Sequence, residues 1–267
     1  MPKKNNPKKK RRLNVLTPEN YFQFECHQNL DCFTRCCHNI TIFLTPYDIL
    51  RMKNGLNMLS EDFLADYTMT MIGDTGLPVV VLKMRNDAEK SCPFVTSQGC
   101  TIYPHRPWSC RIYPLQPEST KITEKAGKEY YSVMDVPFCL GFAEDNVQTV
   151  DVWMKEQGIP IYKEKEALFK KITINEFLVH HQVTNKKIQE MYYMACYDLD
   201  RFRRFIFKTT FLERFEMDPK VVAKIKKDDA ELYHFAMKWL DYGLLGQHEL
   251  KIKPDVMEAK KQELKIR

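Results

Sequence analysis

Cysteine is the residue type in this chain whose number and spacing point most clearly to chemistry, because thiolates bind metal ions and exchange with disulfides. The chain has nine cysteines, and eight of them lie before residue 140. In a reducing compartment, such a dense pattern indicates a metal site rather than a disulfide framework. The candidate metal ligands are Cys26, Cys32, Cys36, Cys37, Cys92, Cys100, Cys110 and Cys139.

The stretch DCFTRCCHNI places two cysteines side by side. Cys32 and Cys36 are four residues apart, so on a helix they would share a face and could bind one ion. Cys37 would point away from Cys36 on a helix or a strand. The adjacent pair therefore favours two metal centres, or one bridged centre, over chelation of a single ion. Eight thiolates suffice for two four-cysteine sites or for one multinuclear cluster.

A second group of cysteines lies in CPFVTSQGCTIYPHRPWSCRIYPL. Cys92 and Cys100 flank a predicted turn at Gln98-Gly99, and Cys110 follows a proline-stiffened loop. FCLGF contributes Cys139. These cysteines would complete the sites that the first group begins.

Thiolate sites carry negative charge, which nearby hydrogen-bond donors can offset. Arg106 and Arg111 bracket Cys110, with His105 close by, and are candidates for that role. The alternative is that both arginines are ordinary surface residues. Two other histidines, His27 and His38, flank the first group and could replace a cysteine as ligand. A lone histidine near a site is more often a spectator.

The ninth cysteine, Cys196, lies in IQEMYYMACYDLDRF, where apolar residues recur at helical spacing. It lies beside that apolar stripe. We expect a small buried thiol there and not a metal ligand.

Local signals predict the elements that must position the cysteines. Thr45, Pro46 and Asp48 form a capping signal for a helix that ends near Gly55, and Ser60 could begin another. LPVVVLKM predicts a strand, and TKITEKAGKEYYSVMDV predicts two strands around residues 126–128. After about residue 145, helical periodicity dominates.

The fold class that follows is α+β: a small cysteine-rich metal-binding domain with a short antiparallel sheet, followed by a mainly α-helical region. We expect a basic disordered tail over 1–16, the cysteine-cluster domain over 17–145 and the helical region over 146–267.

Composition limits the class of protein. The chain has 267 residues and a formal charge of +6, but seven Lys and Arg lie in the first twelve residues, so the remainder is close to neutral. The tail could contact nucleic acid, but we expect it to be solvated. No stretch has the length of a membrane span or the apolar core of a signal peptide. We therefore expect a cytoplasmic protein that does not bind membranes.

Taken in order, the motifs resemble the YkgJ-type family of zinc- or iron-chelating cysteine-cluster proteins. The shared features are Phe24-x-Cys26, Cys36-Cys37, LTPYD, CPFV, CTIYPHRPWSCRIYP and Cys139-Leu140-Gly141, over roughly residues 22–142. The family's first cysteines are usually two residues apart. Here five residues separate Cys26 from Cys32, and three separate Cys32 from Cys36. Carried over residue by residue, the resemblance implies that all eight clustered cysteines are ligands of zinc or iron, or of an iron–sulfur cluster.

The resemblance names ligands and no reaction, so three functions stay open. The first is a metal-binding protein without an assigned activity. The second is an iron–sulfur-dependent protein-lysine N-methyltransferase similar to the flagellin N-methylases, which would need S-adenosylmethionine. The third is an interaction module held by structural zinc. A dithiol oxidoreductase is disfavoured, because adjacent cysteines form a strained disulfide and no Cys-x-x-Cys begins a helix. The sequence identifies no protein partner or substrate.

Overall fold

A computed structural model describes residues 15–118, 129–246 and 250–258 of the chain. Short strands and helices alternate up to about residue 149, and helices predominate after it. The predicted α+β class is therefore confirmed. The predicted basic tail lies almost entirely outside the described residues, as does the first of the two strands predicted around residues 126–128.

The strands are short, mostly two to five residues long. They are β1 Tyr21–Gln23, β2 Phe43–Leu44, β3 Thr68–Ile72, β4 Pro78–Leu82, β5 Val95–Thr96, β6 Gly99–Cys100, β7 Leu115–Pro117, β8 Tyr131–Val133, β9 Val147–Thr149, β10 Phe215–Glu216 and β11 Lys251–Ile252.

The helices become longer towards the C-terminal half. They are α1 Pro46–Gly55, α2 Ser60–Tyr67, α3 Trp108–Ile112, α4 Val150–Glu156, α5 Ile159–Thr173, α6 Glu176–His180, α7 Lys186–Cys196, α8 Leu199–Lys208, α9 Phe211–Arg214, α10 Pro219–Lys227 and α11 Asp229–Leu245. Three 3₁₀ turns lie at Arg35–Cys37, Tyr103–His105 and Leu140–Ala143.

The strands form small antiparallel sheets. The largest has the order β2-β4-β3, with Thr70 opposite Val80. Its central strand β4 is the strand predicted from LPVVVL, and it is almost entirely buried because β-branched side chains pack well on a pleated surface. The other pairs are β1-β9, β5-β6, β7-β8 and β10-β11.

Helix α1 begins as its sequence predicts. The Thr45 hydroxyl accepts a hydrogen bond from the Asp48 amide at 3.1 Å, and the Thr45 amide donates to the Asp48 carboxylate at 3.0 Å. This reciprocal pair satisfies two amide groups that the first turn would otherwise leave unpaired. The helix ends at Gly55, as predicted, and the next helix begins at Ser60.

Packing divides the chain into two compact units. Of the described residues, the smaller unit comprises 15–33, 112–118 and 129–159, and the larger comprises 34–111, 160–246 and 250–258. The division into domains at residues 16 and 145 rests on composition and on the extent of the resemblance, so it stays a prediction.

The larger unit has one hydrophobic core to which both halves of the sequence contribute. Met52, Phe63 and Val80 come from the cysteine-rich part, and Phe202 and Ala236 come from the helical part; all five are fully buried. Within this unit, the helical residues therefore complete the core on which the cysteine-bearing loops lie.

A buried polar network crosses the same core. The Lys53 ammonium is 2.7 Å from Asp229 and 3.4 Å from Asp200. The Ser60 hydroxyl donates to Asp198 at 2.7 Å and accepts from the Asp200 amide at 2.9 Å. Buried charges need such partners, so the network fixes α1 and α2 against α8 and α11.

The smaller unit is organised around an aromatic cluster. The Phe24 ring lies 5.5 Å from the Trp153 ring and 5.2 Å from the Phe142 ring, and it makes an edge contact with Tyr113. Strand β1 pairs with β9, which places Phe22 opposite Gln148. This cluster supports the chain just before Cys26.

Candidate metal centre

Five of the eight candidate ligands lie in the larger unit, on three separate segments. The 3₁₀ turn Arg35–Cys37 carries two adjacent cysteines, the β5-β6 hairpin and the residues before it carry two more, and α3 carries the fifth. The five are Cys36, Cys37, Cys92, Cys100 and Cys110, and we call them the five-cysteine group.

The adjacent cysteines owe their conformation to Thr34. This residue has a left-handed backbone with φ of 65°, and its carbonyl accepts from the Cys37 amide at 2.8 Å. A left-handed residue interrupts a helix, so no α-helix runs from Cys32 to Cys36. The helix on which these two cysteines would share a face is therefore not formed.

Cys37 and Cys92 are joined through the backbone. The Cys92 amide donates to the Cys37 carbonyl at 2.8 Å, and the next residues along each strand, His38 and Ser91, form an isolated antiparallel bridge. This contact links the first cysteine group to the second group within the larger unit.

The thiols of the five-cysteine group influence one another electrostatically. Cys37 donates a hydrogen bond to Cys36, which lowers the pKa of Cys36 to about 7. The same bond raises the pKa of Cys37 far above its usual range, and burial and repulsion from Cys92 and Cys110 add to that rise. The two adjacent side chains therefore lie close together and do not point to opposite sides of the backbone.

The hairpin residues sit in a partly buried environment. Gly99 has φ of 113°, a conformation that favours glycine, and it allows the tight turn that the sequence predicts between Cys92 and Cys100. Burial raises the pKa of both thiols. Val95 pairs with Cys100, so the hairpin fixes the position of that cysteine's backbone.

Cys110 is half-buried in the short helix α3. Burial, followed by repulsion from Cys92, raises its pKa to about 12. Its amide donates to the Pro107 carbonyl at 3.0 Å, which begins the short helix α3. Proline at 104 and 107 restricts the backbone of the loop that leads into this cysteine.

Arg106 and Arg111 are both buried, so the interpretation of them as surface residues is wrong. The charges of Cys110 and Cys100 both act on Arg106, which indicates that its guanidinium lies near these thiols. Arg106 also donates to the Tyr103 carbonyl at 2.7 Å and lies over the Tyr103 ring. Both arginines thus belong to the interior of the cysteine-bearing loop.

Asp48 is a site residue whose role the sequence reveals only in part. The capping motif predicts one of its contacts, but its second carboxylate oxygen accepts from the Trp108 amide at 2.7 Å, two residues before Cys110. Burial raises the pKa of Asp48 to about 6. This residue attaches the Cys110 loop to the first turn of α1, a contact between segments sixty residues apart.

The other three candidate ligands, Cys26, Cys32 and Cys139, lie in the smaller unit, and we call them the three-cysteine group. The Cys32 sulfur accepts from the Leu140 amide at 3.2 Å, immediately after Cys139. The Glu25 amide donates to the Gly141 carbonyl at 3.0 Å, which places Cys26 near the same turn. The structure therefore brings these three cysteines to one region, with Cys32 buried and Cys26 exposed.

The flanking histidines already have other partners. His27 contacts Glu144 at 3.2 Å and accepts from the Asn29 amide at 3.3 Å. His38 contacts the Thr34 carbonyl at 3.1 Å and Glu89 at 3.4 Å. Both ring nitrogens of each histidine are engaged, which favours the spectator interpretation.

Cys196 is fully buried in α7, as expected. Tyr192 donates a hydrogen bond to its thiol, and burial raises the pKa of Cys196 well above its usual range. It belongs to the hydrophobic core of the larger unit.

The donor chemistry fits zinc or iron. All nine cysteines lie in the described ranges, and none forms a disulfide there. Across the same ranges, no three His, Cys, Asp or Glu side chains already form a ligand set for a metal ion. The thiols of the five-cysteine group nevertheless repel one another when ionised, and a bound cation would relieve that repulsion.

Comparison with known proteins agrees with this chemistry. The model of the CxxCxxCC family, described as "Putative zinc- or iron-chelating domain", matches residues 25–136. No curated protein and no solved structure matches the chain. Within the described residues, none of the helices has the length and apolar character needed to cross a membrane.

Proposed function

We propose, from the match of residues 25–136 to the model of the CxxCxxCC family, that this protein binds zinc or iron through thiolates of the five-cysteine group. The observation that carries the proposal is the convergence of Cys36, Cys37, Cys92 and Cys110. These thiols come from three segments of the chain, yet each of them interacts with others of the set.

The electrostatics of the metal-free group support this assignment. Ionising several neighbouring, partly buried thiols is costly without a compensating charge. A divalent zinc or iron ion would supply that charge, and thiolate is a preferred ligand of both metals. Cys36, Cys37, Cys92 and Cys110 would hold the ion, and Cys100 is a further candidate on the neighbouring strand.

The bound metal would tie together three segments that share little local secondary structure. Arg35–Cys37, the β5-β6 hairpin and α3 are all short, so their own hydrogen bonds fix them weakly. Metal binding in such sites is coupled to folding. We therefore assign the metal a structural role, and leave the three-cysteine group as ligand candidates that rest on the family resemblance.

Thiolate ligation also suits the compartment that we propose, which is the cytoplasm. Nine cysteines without a disulfide in the described ranges are compatible with a reducing environment. Metal-bound sulfur is in addition less accessible to oxidation than a free thiolate.

Anaerobic purification with zinc, iron and acid-labile sulfide measured on one sample tests the proposal. We expect the wild-type protein to retain metal, and a variant with Cys36, Cys37, Cys92 and Cys110 all changed to Ser to retain almost none. Cys196→Ala is the control, because its thiol lies in the core and outside the group. Equal metal content in the wild type and the fourfold variant would contradict the assignment.

The same sample separates the alternatives. Iron with a matching amount of sulfide would favour an iron–sulfur protein, and would justify a search for S-adenosylmethionine binding and lysine methylation. Zinc without sulfide would favour the structural centre and a role as an interaction module, whose partner would then be sought by affinity capture.

A further inference from the structure

The loop that carries Cys110 is held by a side chain from the helical region. We propose that Arg111 and Tyr162 are positioning residues, which keep this loop in the conformation that binds the metal and thereby slow the metal's release. Tyr162 lies on α5, outside the residues that match the family model. The proposal rests on the metal-binding function proposed above.

Arg111 draws the loop back on itself. Its Nε donates to the Arg106 carbonyl at 2.9 Å, and its Nη2 donates to the Pro104 carbonyl at 2.6 Å. Both carbonyls belong to the loop between Cys100 and Cys110. Because one planar guanidinium satisfies two backbone acceptors, it fixes the path of the chain just before Cys110.

Tyr162 completes this arrangement from α5. Its hydroxyl accepts from Arg111 Nε at 3.1 Å and donates to the Arg106 carbonyl at 3.2 Å. Arg111 Cζ lies 5.3 Å from the centre of the Tyr162 ring, within the range of a cation–π contact. The phenol thus contacts the side chain after Cys110 and the backbone four residues before it.

Burial makes these contacts difficult to replace by water. Tyr162 has no exposed surface and Arg111 is 6% exposed. A buried donor or acceptor that loses its partner pays its desolvation cost, and the cost is larger for a charged group. The loop conformation in this structure is therefore strongly favoured while both side chains are in place.

Release of the metal requires the ligands to leave it one after another. A loop that is held in place returns Cys110 to the metal before the next ligand departs, whereas a loosened loop does not. Contacts around ligands that fix their orientation typically change metal affinity by 10–100-fold. The metal centre would on this basis extend beyond the cysteine-rich region to the helical part of the larger unit.

The test compares Tyr162, whose hydroxyl contacts Arg111 and the loop before Cys110, with Tyr233, whose hydroxyl contacts α5. Tyr162→Phe removes the hydroxyl that contacts Arg111 and the loop. Tyr233→Phe is a matched control, because Tyr233 is equally buried, packs against the same Tyr47 ring and donates to a backbone carbonyl at 3.2 Å, but that carbonyl belongs to Lys165 on α5. Both variants lose one buried tyrosine hydroxyl.

The readout is the rate at which metal-loaded full-length protein transfers its metal to an excess of a chromogenic chelator. We expect about tenfold faster release from Tyr162→Phe. Tyr233→Phe should release at the wild-type rate, with a similar fall in Tm for the two variants. Arg111→Lys, which keeps the charge and loses the fork, should also accelerate release, and adding it to Tyr162→Phe should give little further change.

The possible results distinguish failure of the positioning role from failure of the proposed metal-binding function. Equal release rates for Tyr162→Phe and Tyr233→Phe, with the wild type holding metal, would overturn the positioning role and leave the proposed function intact. If Tyr162→Phe did not fold, an unchanged release rate in Arg111→Lys would overturn it in the same way. A wild-type protein that holds no metal would overturn both proposals together.

Discussion

The five-cysteine group and the three-cysteine group come from one predicted ligand set, but their surroundings differ. In the five-cysteine group, Cys37 and Cys92 share a backbone hydrogen bond of 2.8 Å, and the thiols shift one another's pKa. In the three-cysteine group, the Cys32 sulfur accepts a hydrogen bond from the Leu140 amide at 3.2 Å. Cys26 lies at the surface.

Cysteines of one motif can therefore differ in how far the fold has already placed them to bind a metal ion. The larger unit supports its cysteines with a hydrophobic core, two buried arginines and Asp48. The smaller unit supports its cysteines with an aromatic cluster and a short turn. A site held by its protein surroundings pays less to order its ligands when the metal binds.

The largest expected effect is on metal content. Cys110→Ser should remove most of the bound metal, because it deletes a thiol on which Cys36, Cys92 and Cys100 all act. Cys139→Ser should retain most of the bound metal. Metal analysis on the two purified variants measures the difference. Equal and complete loss in both would instead indicate one cluster that needs both groups.

A second effect is the release of protons on metal binding. Raised pKa values keep Cys37, Cys92 and Cys110 protonated at pH 7, whereas the hydrogen bond from Cys37 lowers the pKa of Cys36 to about 7. Since ligands must be thiolates, binding through these four would release about three to four protons, and affinity should rise steeply with pH. Calorimetry of zinc binding in buffers of different ionisation enthalpy counts those protons.

The pH dependence also tests the comparison. Substituting Cys26 or Cys139 should leave the proton count near its wild-type value, because the proposed ligands all lie in the five-cysteine group. A fall of a whole proton in Cys139→Ser would show that the three-cysteine group takes part in the same binding event.

The sequence predicts the local features of this centre well and its long-range contacts poorly. Thr45, Pro46 and Asp48 encode the start of α1 within four residues, and the hairpin turn at Gly99 is equally local. The second contact of Asp48, to the Trp108 amide, depends on tertiary packing that no spacing rule encodes. Tyr162 gave no signal, because a tyrosine at helical spacing looks like ordinary core.

The absence of a helix between Cys32 and Cys36 also depends on a feature that spacing does not encode. Spacing of four residues indicates a shared helical face only if every residue between is helical. Thr34 adopts a left-handed conformation, which is uncommon for a β-branched residue and cannot be read from its identity. The grouping of cysteines therefore had to come from the structure.

A smaller effect is expected when the three-cysteine group is disturbed without removing a cysteine. A Cβ at Gly141 would lie 2.3 Å from the Glu25 carbonyl oxygen and 2.8 Å from the Phe24 ring. Gly141→Ala should therefore reduce stability by about 1–3 kcal/mol, as overpacking does. Gly243→Ala is the control, since its nearest neighbour is a methionine methyl at 3.5 Å.

The metal content of Gly141→Ala tests whether the turn at Gly141 belongs to the metal centre. The five-cysteine group lies in the other unit, so Gly141→Ala should keep nearly the wild-type amount of metal while its Tm falls in a thermal denaturation scan. Loss of all metal from a protein that is still folded would show that the turn at Gly141 is part of the metal centre.

The smallest effect on metal is expected at Cys196, the cysteine outside both groups. Cys196→Ala removes a buried sulfur and leaves the Tyr192 hydroxyl without that acceptor, so the free energy of unfolding should fall by about 1–2 kcal/mol. For a chain of this size, each kcal/mol corresponds to roughly 2–4 °C in Tm. Metal content should not change, because the thiol belongs to the core formed by α7 and its neighbours and not to a ligand group. If the variant lost one equivalent of metal with an unchanged Tm, Cys196 would be a ligand, and the separation of core thiols from ligand thiols by burial would fail.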